Sequence, residues 1–150
     1  MIAGKYQYSN VKRWSRNIPG NDIFQLDKIF VPINIRQYHW TCVVIYMQKK
    51  CIKYYDAKHG NGIHYLNYLF RYLQDEWKDK KGYELPNKED WVLDSTSDGI
   101  PKQYNDFDCG VFVCMFANYI FQGLELSFRE DDMPHFRKRI ALSIMNNCVS

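Results

Sequence analysis

The chain has 150 residues, of which 46% are hydrophobic and 17% aromatic, so its size suits one folded domain and its composition excludes disordered and collagen-like chains. The longest apolar run, at 111–117, is seven residues, far short of the roughly 18 to 20 that a membrane span needs, and the first ten residues lack the apolar segment of a secretory signal, so we expect an intracellular chain. The formal net charge of +3 is spread along the chain and predicts no nucleic-acid partner.

Strands are predicted mainly in the first half of the chain. Residues 28–35 favour a strand, and Pro32 within them indicates an edge or a strand end because proline lacks a backbone donor. Residues 40–47 are almost wholly apolar, which predicts a central strand buried on both faces. Residues 51–55 follow a polar turn and predict the hairpin partner of that strand. Residues 91–93 are a further short strand candidate.

Helices are predicted around and after the strands. Glycines at 60 and 62 interrupt regular secondary structure. Apolar residues spaced by three or four then predict a helix at 63–80, which Gly82 ends, and a second helix from Cys109 to about Gly123. A third helix is predicted from about Asp131, with Pro134 in its first turn. The basic run at 137–139 is interpreted as the solvated surface of the last helix. This order of elements predicts an α+β fold.

The cysteines and histidines give no sign of a metal site or of disulfides. There are five cysteines, an odd number without a CxxC pair, and the four histidines lack zinc-ligand spacing, so we expect no cofactor, no metal and no disulfide framework. Cys42 and Cys114 lie inside apolar runs, which predicts small buried side chains.

Cys109 differs, because it lies where a polar loop meets a strongly apolar helix. Free amide donors and the positive end of a helix dipole stabilise a thiolate. Gly110 leaves room for a substrate backbone to approach the sulfur. On this segment alone, a structural cysteine near a helix cap remains an open alternative.

A thiolate nucleophile needs a base and a group that orients the base. His39 immediately precedes the central strand and Asp56 immediately follows its hairpin partner, so antiparallel pairing places both at one edge of the sheet. With Cys109 they predict a Cys-His-Asp triad that attacks a carbonyl. Gln103, six residues before Cys109, could complete an oxyanion hole with the Cys109 N–H, although alone it is an ordinary loop glutamine.

An ordered set of motifs resembles the Ulp/sentrin-specific cysteine proteases, which process and remove SUMO. The motifs are Val31-Pro-Ile-Asn34, His39-Trp40, Tyr54-Tyr-Asp56, Pro101-Lys-Gln103-Tyr-Asn105, Asp108-Cys109-Gly110-Val-Phe and Met133-Pro-His-Phe-Arg-Lys-Arg139. The resemblance runs through essentially all of the chain. It implies a papain-like architecture, with a central, mostly antiparallel sheet flanked by helices and the nucleophile at a helix N-terminus.

The resemblance also implies site roles, residue by residue. It assigns catalysis to His39, Asp56, Gln103 and Cys109, in agreement with the chemical interpretation. It matches Trp40 to a tryptophan that roofs the channel for the Gly-Gly tail of the modifier; a core aromatic on a buried strand is the alternative. Asn34 falls in the same substrate-facing loop, and Gly110 is expected to contact substrate as well.

One departure concerns the beginning of the chain. Catalytic domains of the family carry a further N-terminal segment with a Trp-Leu-Asn-Asp-type motif, and nothing similar precedes Val11. We therefore expect residues 1–150 to form one truncated protease domain, about the C-terminal two-thirds of a complete one. The resemblance implies SUMO or SUMO-conjugated partners, a monomer and a nuclear location. The alternatives are a protease for NEDD8 or ubiquitin, and a catalytically weak module that binds a modifier.

Overall fold

The computed structural model describes residues 6–147, so Cys148 lies outside the described part. The strands are β1 (Lys28–Ile35), β2 (His39–Tyr46), β3 (Cys51–Tyr55) and β4 (Val92–Asp94), and the helices are α1 (Ile63–Lys81), α2 (Cys109–Gln122) and α3 (Met133–Met145). Short 3-10 turns precede β1, and another, Glu130–Asp132, leads into α3. Each predicted element is present within one or two residues of its expected bounds, and the α+β class is confirmed.

The four strands form one mixed sheet in the order β1-β2-β3-β4. Loops of three and four residues join β1 to β2 and β2 to β3, and such short loops permit only antiparallel neighbours. β4 pairs parallel with β3, with Ile52 opposite Leu93. The predictions for the strands are confirmed: β1 is an edge strand with Pro32 exposed, and β2 is an interior strand.

The helix ends follow their sequence signals. α1 and α2 both end at glycines in the left-handed conformation, Gly82 at φ 83° and Gly123 at φ 72°, which residues with a β-carbon rarely adopt. α3 carries Pro134 in its first turn, where the missing N–H costs no helix bond. Among residues 6–147, no helix combines the length and apolar character needed to cross a bilayer.

The chain divides into two compact units. The first comprises the chain up to Val31, Val43–Tyr54 and Asn61–Thr96, and the second comprises Pro32–Cys42, Tyr55–Gly60 and the chain from Ser97 onward. In the first unit α1 contacts β4 and buries Leu66, Leu69 and Leu73. Every residue predicted for the site belongs to the second unit. Assignment of the whole chain to one protease domain stays a prediction.

An aromatic cluster supports α2 within the second unit. The rings of Phe112, Phe116, Phe128 and Phe136 pack with centroids 5.7–6.1 Å apart, and α2 contacts α3. Such packing holds α2, and therefore the residue at its N-terminus, in a fixed position. The prediction of a buried Cys114 is wrong: it lies on the exposed face of α2, because the helix turns its inward face through Phe112, Met115 and Phe116 instead.

Candidate active site

His39 and Asp56 meet where the start of β2 lies beside the end of β3. His39 is the first residue of β2 and Asp56 follows the last residue of β3, and His39 Nε2 lies 2.8 Å from Asp56 Oδ1. Both side chains are buried, with residue exposures of 8% and 4%. The juxtaposition predicted from the hairpin is confirmed, while the catalytic roles of the two residues stay predictions.

The carboxylate of Asp56 is fixed by the loop that follows it. The backbone N–H of Lys58 donates to Oδ1 at 2.8 Å, and the N–H of Gly60 donates to Oδ2 at 3.1 Å. A β-carbon at Gly60 would lie 2.7 Å from Oδ2, closer than van der Waals contact allows. Gly60, expected from the sequence only to break the chain, is therefore the residue that lets the backbone approach the carboxylate.

Cys109 is the first residue of α2 and is 7% exposed. The first helical hydrogen bond runs from Phe112 N to Asp108 O at 3.0 Å, so the N–H groups before Phe112 have no partner inside the helix. The partial positive charge of the helix dipole is concentrated at these N–H groups. Cys109 also lines a cleft of about 460 Å³ together with Trp40, Phe107, Gly110, Val111, Cys114, Arg137, Ile140, Ala141 and Ile144.

The other cysteines are less suited to act as nucleophiles. The four cysteines that the structure describes are all thiols rather than disulfides. Desolvation raises the pKa of the half-buried Cys51 and of Cys114, which lines the cleft although the residue is exposed on α2, and both shifts leave less thiolate at neutral pH. Within residues 6–147, no three His, Cys, Asp or Glu side chains are grouped so that they could hold a metal ion.

Trp40 is the exposed residue of β2, in which every other residue is buried except the half-buried Tyr46. It is 43% exposed, so the alternative of a core aromatic is wrong. A β-carbon at Gly110 would lie 3.8 Å from Trp40 Cδ1, which places the indole at the mouth of the cleft beside Cys109. Asn34 is half-buried in β1 and is not part of the described lining of the cleft. The substrate-binding roles of Trp40, Gly110 and Asn34 stay predictions.

Gln103 is buried, and its side chain points at Asn105. Its backbone N–H donates to Ala57 O at 2.7 Å, which ties the loop before Cys109 to the residue after Asp56. Its Nε2 lies 2.8 Å from the carbonyl oxygen of Asn105 and 3.1 Å from Asn105 Oδ1. Its Oε1 is buried without a hydrogen-bond partner in the described part of the chain. An oxyanion role, which stays a prediction, requires Nε2 to exchange a contact with Asn105 for one with substrate.

Sequence reasoning did not assign a role in supporting the nucleophile loop to Asn105 or to Arg137. Asn105 Oδ1 accepts hydrogen bonds from the N–H groups of Phe107 and Asp108, at 3.1 and 3.0 Å. An asparagine that bonds backbone two and three residues ahead is an Asx turn, and its sequence could have predicted it. Arg137 is exposed, as the sequence predicts for the basic run of the last helix, but it also donates to Asp108 Oδ1 from Nη2 at 2.7 Å. That contact joins distant segments, so local patterning gives no sign of it.

Comparison with known proteins shows the family of this chain. Residues 2–150 match the family model of the Ulp1 protease family, C-terminal catalytic domain. Human Sentrin-specific protease 2 is 39% identical over 140 residues, which cover 93% of this chain and 23% of that protein.

Solved structures show the same fold. One, the SUMO protease Ulp1 with its catalytic cysteine oxidized to a sulfonic acid, has a TM-score of 0.77 at 34% identity and covers 93% of this chain and 62% of that chain. Another, the C-terminal Ulp1 protease domain in complex with SMT3, the yeast ortholog of SUMO, has a TM-score of 0.78 at 31% identity, with 95% and 62% covered.

The chain therefore spans about a quarter of the human relative and 62% of each of these solved chains. The coverage of 62% agrees with the expectation that this chain corresponds to about two-thirds of a catalytic domain. The match of the family model over almost the whole chain confirms the resemblance that the motifs carry. The chain belongs to the Ulp1 protease family and corresponds to part of its C-terminal catalytic domain.

Proposed function

We propose that this chain is a cysteine protease domain that cleaves after the C-terminal Gly-Gly of SUMO, both in precursors and in isopeptide-linked conjugates. The observation that carries the proposal is the 2.8 Å contact between His39 Nε2 and Asp56 Oδ1, in a unit that also presents Cys109 at a helix N-terminus. Both side chains of this pair are buried, so His39 is not a solvent-exposed surface histidine. Family membership supplies the independent support.

The proposed reaction uses Cys109 as nucleophile and His39 as proton carrier. Asp56 engages Nε2 and sets the tautomer, so the remaining ring nitrogen, Nδ1, exchanges protons with the reacting groups. The Cys109 thiolate forms a bond to the carbonyl carbon of the last glycine, and the amide C–N bond breaks as His39 protonates the leaving amine. Water, deprotonated by His39, then attacks the thioester, which releases the glycine carboxylate and restores the thiolate.

The negative charge that develops on the carbonyl oxygen needs donors. The Cys109 N–H lies before the first internal bond of α2 and is available for this purpose. Gln103 Nε2 is the proposed second donor. Its burial at 3% exposure and the backbone bond to Ala57 hold it close to the segment that carries Asp56.

The proposed partner is SUMO, free or conjugated. Support comes from a similar solved domain that is a complex with SMT3, the yeast ortholog of SUMO. The proposed binding site for the tail is the cleft that Trp40 and Cys109 both line, with the indole covering an extended tail that has no β-carbons. A nuclear location is proposed from the family resemblance.

The experiment is parallel labelling with SUMO, NEDD8 and ubiquitin that carry C-terminal electrophiles. The expected result is rapid adduct formation with SUMO, at Cys109 by mass spectrometry. Cys109→Ala should abolish it, while Cys51→Ser, which changes a thiol outside the cleft, should leave it intact. An adduct at Cys114, equal labelling by all three modifiers, or no labelling of a chain shown by circular dichroism to be folded would overturn the proposal.

A further inference from the structure

The loop before the nucleophile is held from the segment that contains α3. Arg137, in the second turn of α3, donates to Asp108 Oδ1 from Nε at 2.9 Å and from Nη2 at 2.7 Å. Nη2 also lies 2.8 Å from the carbonyl oxygen of Phe107. One guanidinium therefore binds both residues that immediately precede Cys109.

Asp108 is placed to transmit this contact. It is 4% exposed, and although it is the N-cap residue of α2, its side chain makes no capping hydrogen bond. Its carboxylate is directed elsewhere: Oδ1 accepts from Arg137 and Oδ2 accepts from Asn105 Nδ2 at 2.8 Å. A buried carboxylate beside the nucleophile is costly unless a cation compensates it, and Arg137 supplies that charge.

A second charged residue holds the other end of the loop. Glu130 Oε2 accepts hydrogen bonds from the backbone N–H groups of Tyr104 and Asn105, at 2.5 and 2.9 Å. Tyr104 directly follows Gln103. The backbone from 104 to 108 is thus bound at both ends by side chains that lie more than twenty residues later in the sequence.

We infer that Arg137 is a positioning residue for catalysis, assisted by Glu130: through Asp108 and Phe107 it sets the direction of the α2 N-terminus, and hence where the Cys109 sulfur and N–H lie relative to the substrate carbonyl. The inference rests on the proposed function, because it concerns the alignment of that nucleophile. Misplacement of a reacting group by about 1 Å can cost about 10²-fold in rate. Arg137 also borders the cleft, so direct contact with the modifier is the competing role that the test must separate.

The test compares four variants: Arg137→Gln, Arg137→Lys, Asp108→Asn, and the double variant that combines Arg137→Gln with Asp108→Asn. The control is Lys138→Gln, which changes an exposed cation on the same helix. For a SUMO tail substrate, Arg137→Gln should lower kcat by about 10²-fold and leave KM within about twofold. Arg137→Lys should restore only part of kcat, since an ammonium cannot reproduce the guanidinium fork. Lys138→Gln should match the wild type.

A second readout, alkylation of Cys109 by iodoacetamide as a function of pH, needs no modifier. Arg137→Gln leaves a buried carboxylate uncompensated at Asp108, the residue before Cys109, so the profile should move to higher pH, and Asp108→Asn in that background should move it back. Lys58, which interacts electrostatically with Cys109 and Asp56, is unchanged in every variant, as is His39.

The outcomes separate the two proposals. A shifted alkylation profile in a chain that cleaves no SUMO would leave the positioning role standing and remove the proposed function. An increase in KM alone with an unshifted profile would make Arg137 a modifier contact. If kcat fell only in proportion to the fraction of folded protein, and the pH profile of alkylation did not shift, the role of Arg137 would be merely structural. Either of these last two results overturns the inference.

Discussion

The imidazole of His39 and the carboxylate of Asp56 lie 2.8 Å apart although 17 residues separate them along the chain. The β2–β3 hairpin brings them together, and the N–H groups of Lys58 and Gly60 also bind the carboxylate, at Oδ1 and Oδ2 respectively. The orientation of the imidazole is therefore set within the folded chain, as the proposed role of His39 in proton transfer requires.

Asp56→Asn should lower kcat by about 10⁴-fold without unfolding the chain, because an amide no longer fixes the productive tautomer of His39. His39→Ala should be at least as severe, since it removes the proton carrier. Steady-state kinetics and thermal melting of each variant provide the measurement. Asp98→Asn, an exposed aspartate in the loop before Gln103, is the control. Retention of wild-type kcat by Asp56→Asn would exclude the triad.

Gln103→Ala should cost roughly 2.7 to 4 kcal/mol in transition-state stabilisation, seen as a 10²- to 10³-fold lower kcat with KM nearly constant. Gln122→Ala at the exposed end of α2 is the matched control. The two kinetic constants, measured on a SUMO tail substrate, decide the matter. A higher KM with an unaltered kcat would move Gln103 from the oxyanion hole to substrate recognition.

Gly60→Ala should lower kcat with little effect on KM, because the new methyl group would displace the Asp56 carboxylate that lies 2.7 Å from the β-carbon position. Gly62→Ala provides the contrast. There a β-carbon would lie 2.3 Å from the ring of Tyr54, a core residue, so the loss should appear in the melting temperature. If both variants lost only stability, the role of Gly60 at the site would be refuted.

Replacement of the second glycine of the SUMO tail by alanine should suppress cleavage strongly, because the proposed channel under the Trp40 indole excludes a β-carbon on the extended tail. Trp40→Ala should reduce the Gly-Gly over Gly-Ala preference. Tyr38→Ala, an exposed aromatic that is not among the cleft residues, should preserve it. The comparison requires kcat/KM for both tails on each variant. Equal cleavage of both tails by the wild type would speak against a steric channel.

Asp22→Ala should destabilise the chain by about 1 kcal/mol near neutral pH, because Asp22 accepts a backbone hydrogen bond from Phe24. A hydrogen bond from Lys81 holds the pKa of Asp22 below its ordinary value of 3.8. The ionised form is thus favoured by folding, so its contribution is present above pH 3.8 and is lost as the pH falls through the lower folded-state pKa.

Urea unfolding of wild type and Asp22→Ala between pH 7 and pH 2 provides that measurement. The difference in unfolding free energy should be constant at the upper end and shrink in acid. Asp98→Ala, at an exposed site, should show little difference at any pH. If the difference in unfolding free energy increased in acid, the result would contradict a carboxylate that stabilises the fold in its ionised form.

The sequence by itself determined the elements and part of the site. The apolar run of β2, the helical spacing of α1 and the glycines that end α1 and α2 are local signals, because neighbouring residues set hydrophobic periodicity and backbone conformation. Cys109 at a helix start is equally local. The meeting of His39 with Asp56 followed as well, since a short hairpin permits only one pairing direction.

Only the tertiary structure decided how the loop before Cys109 is held. Contacts between segments remote in sequence bring Arg137 to Asp108 and Glu130 to Asn105. The direction of a side chain decides that the amide of Gln103 contacts Asn105. The exposure of Cys114 depends on how α2 is rotated against its neighbours. Periodicity indicates that a residue lies in a helix or strand, but packing fixes which groups come within hydrogen-bonding distance, and that requires the whole chain.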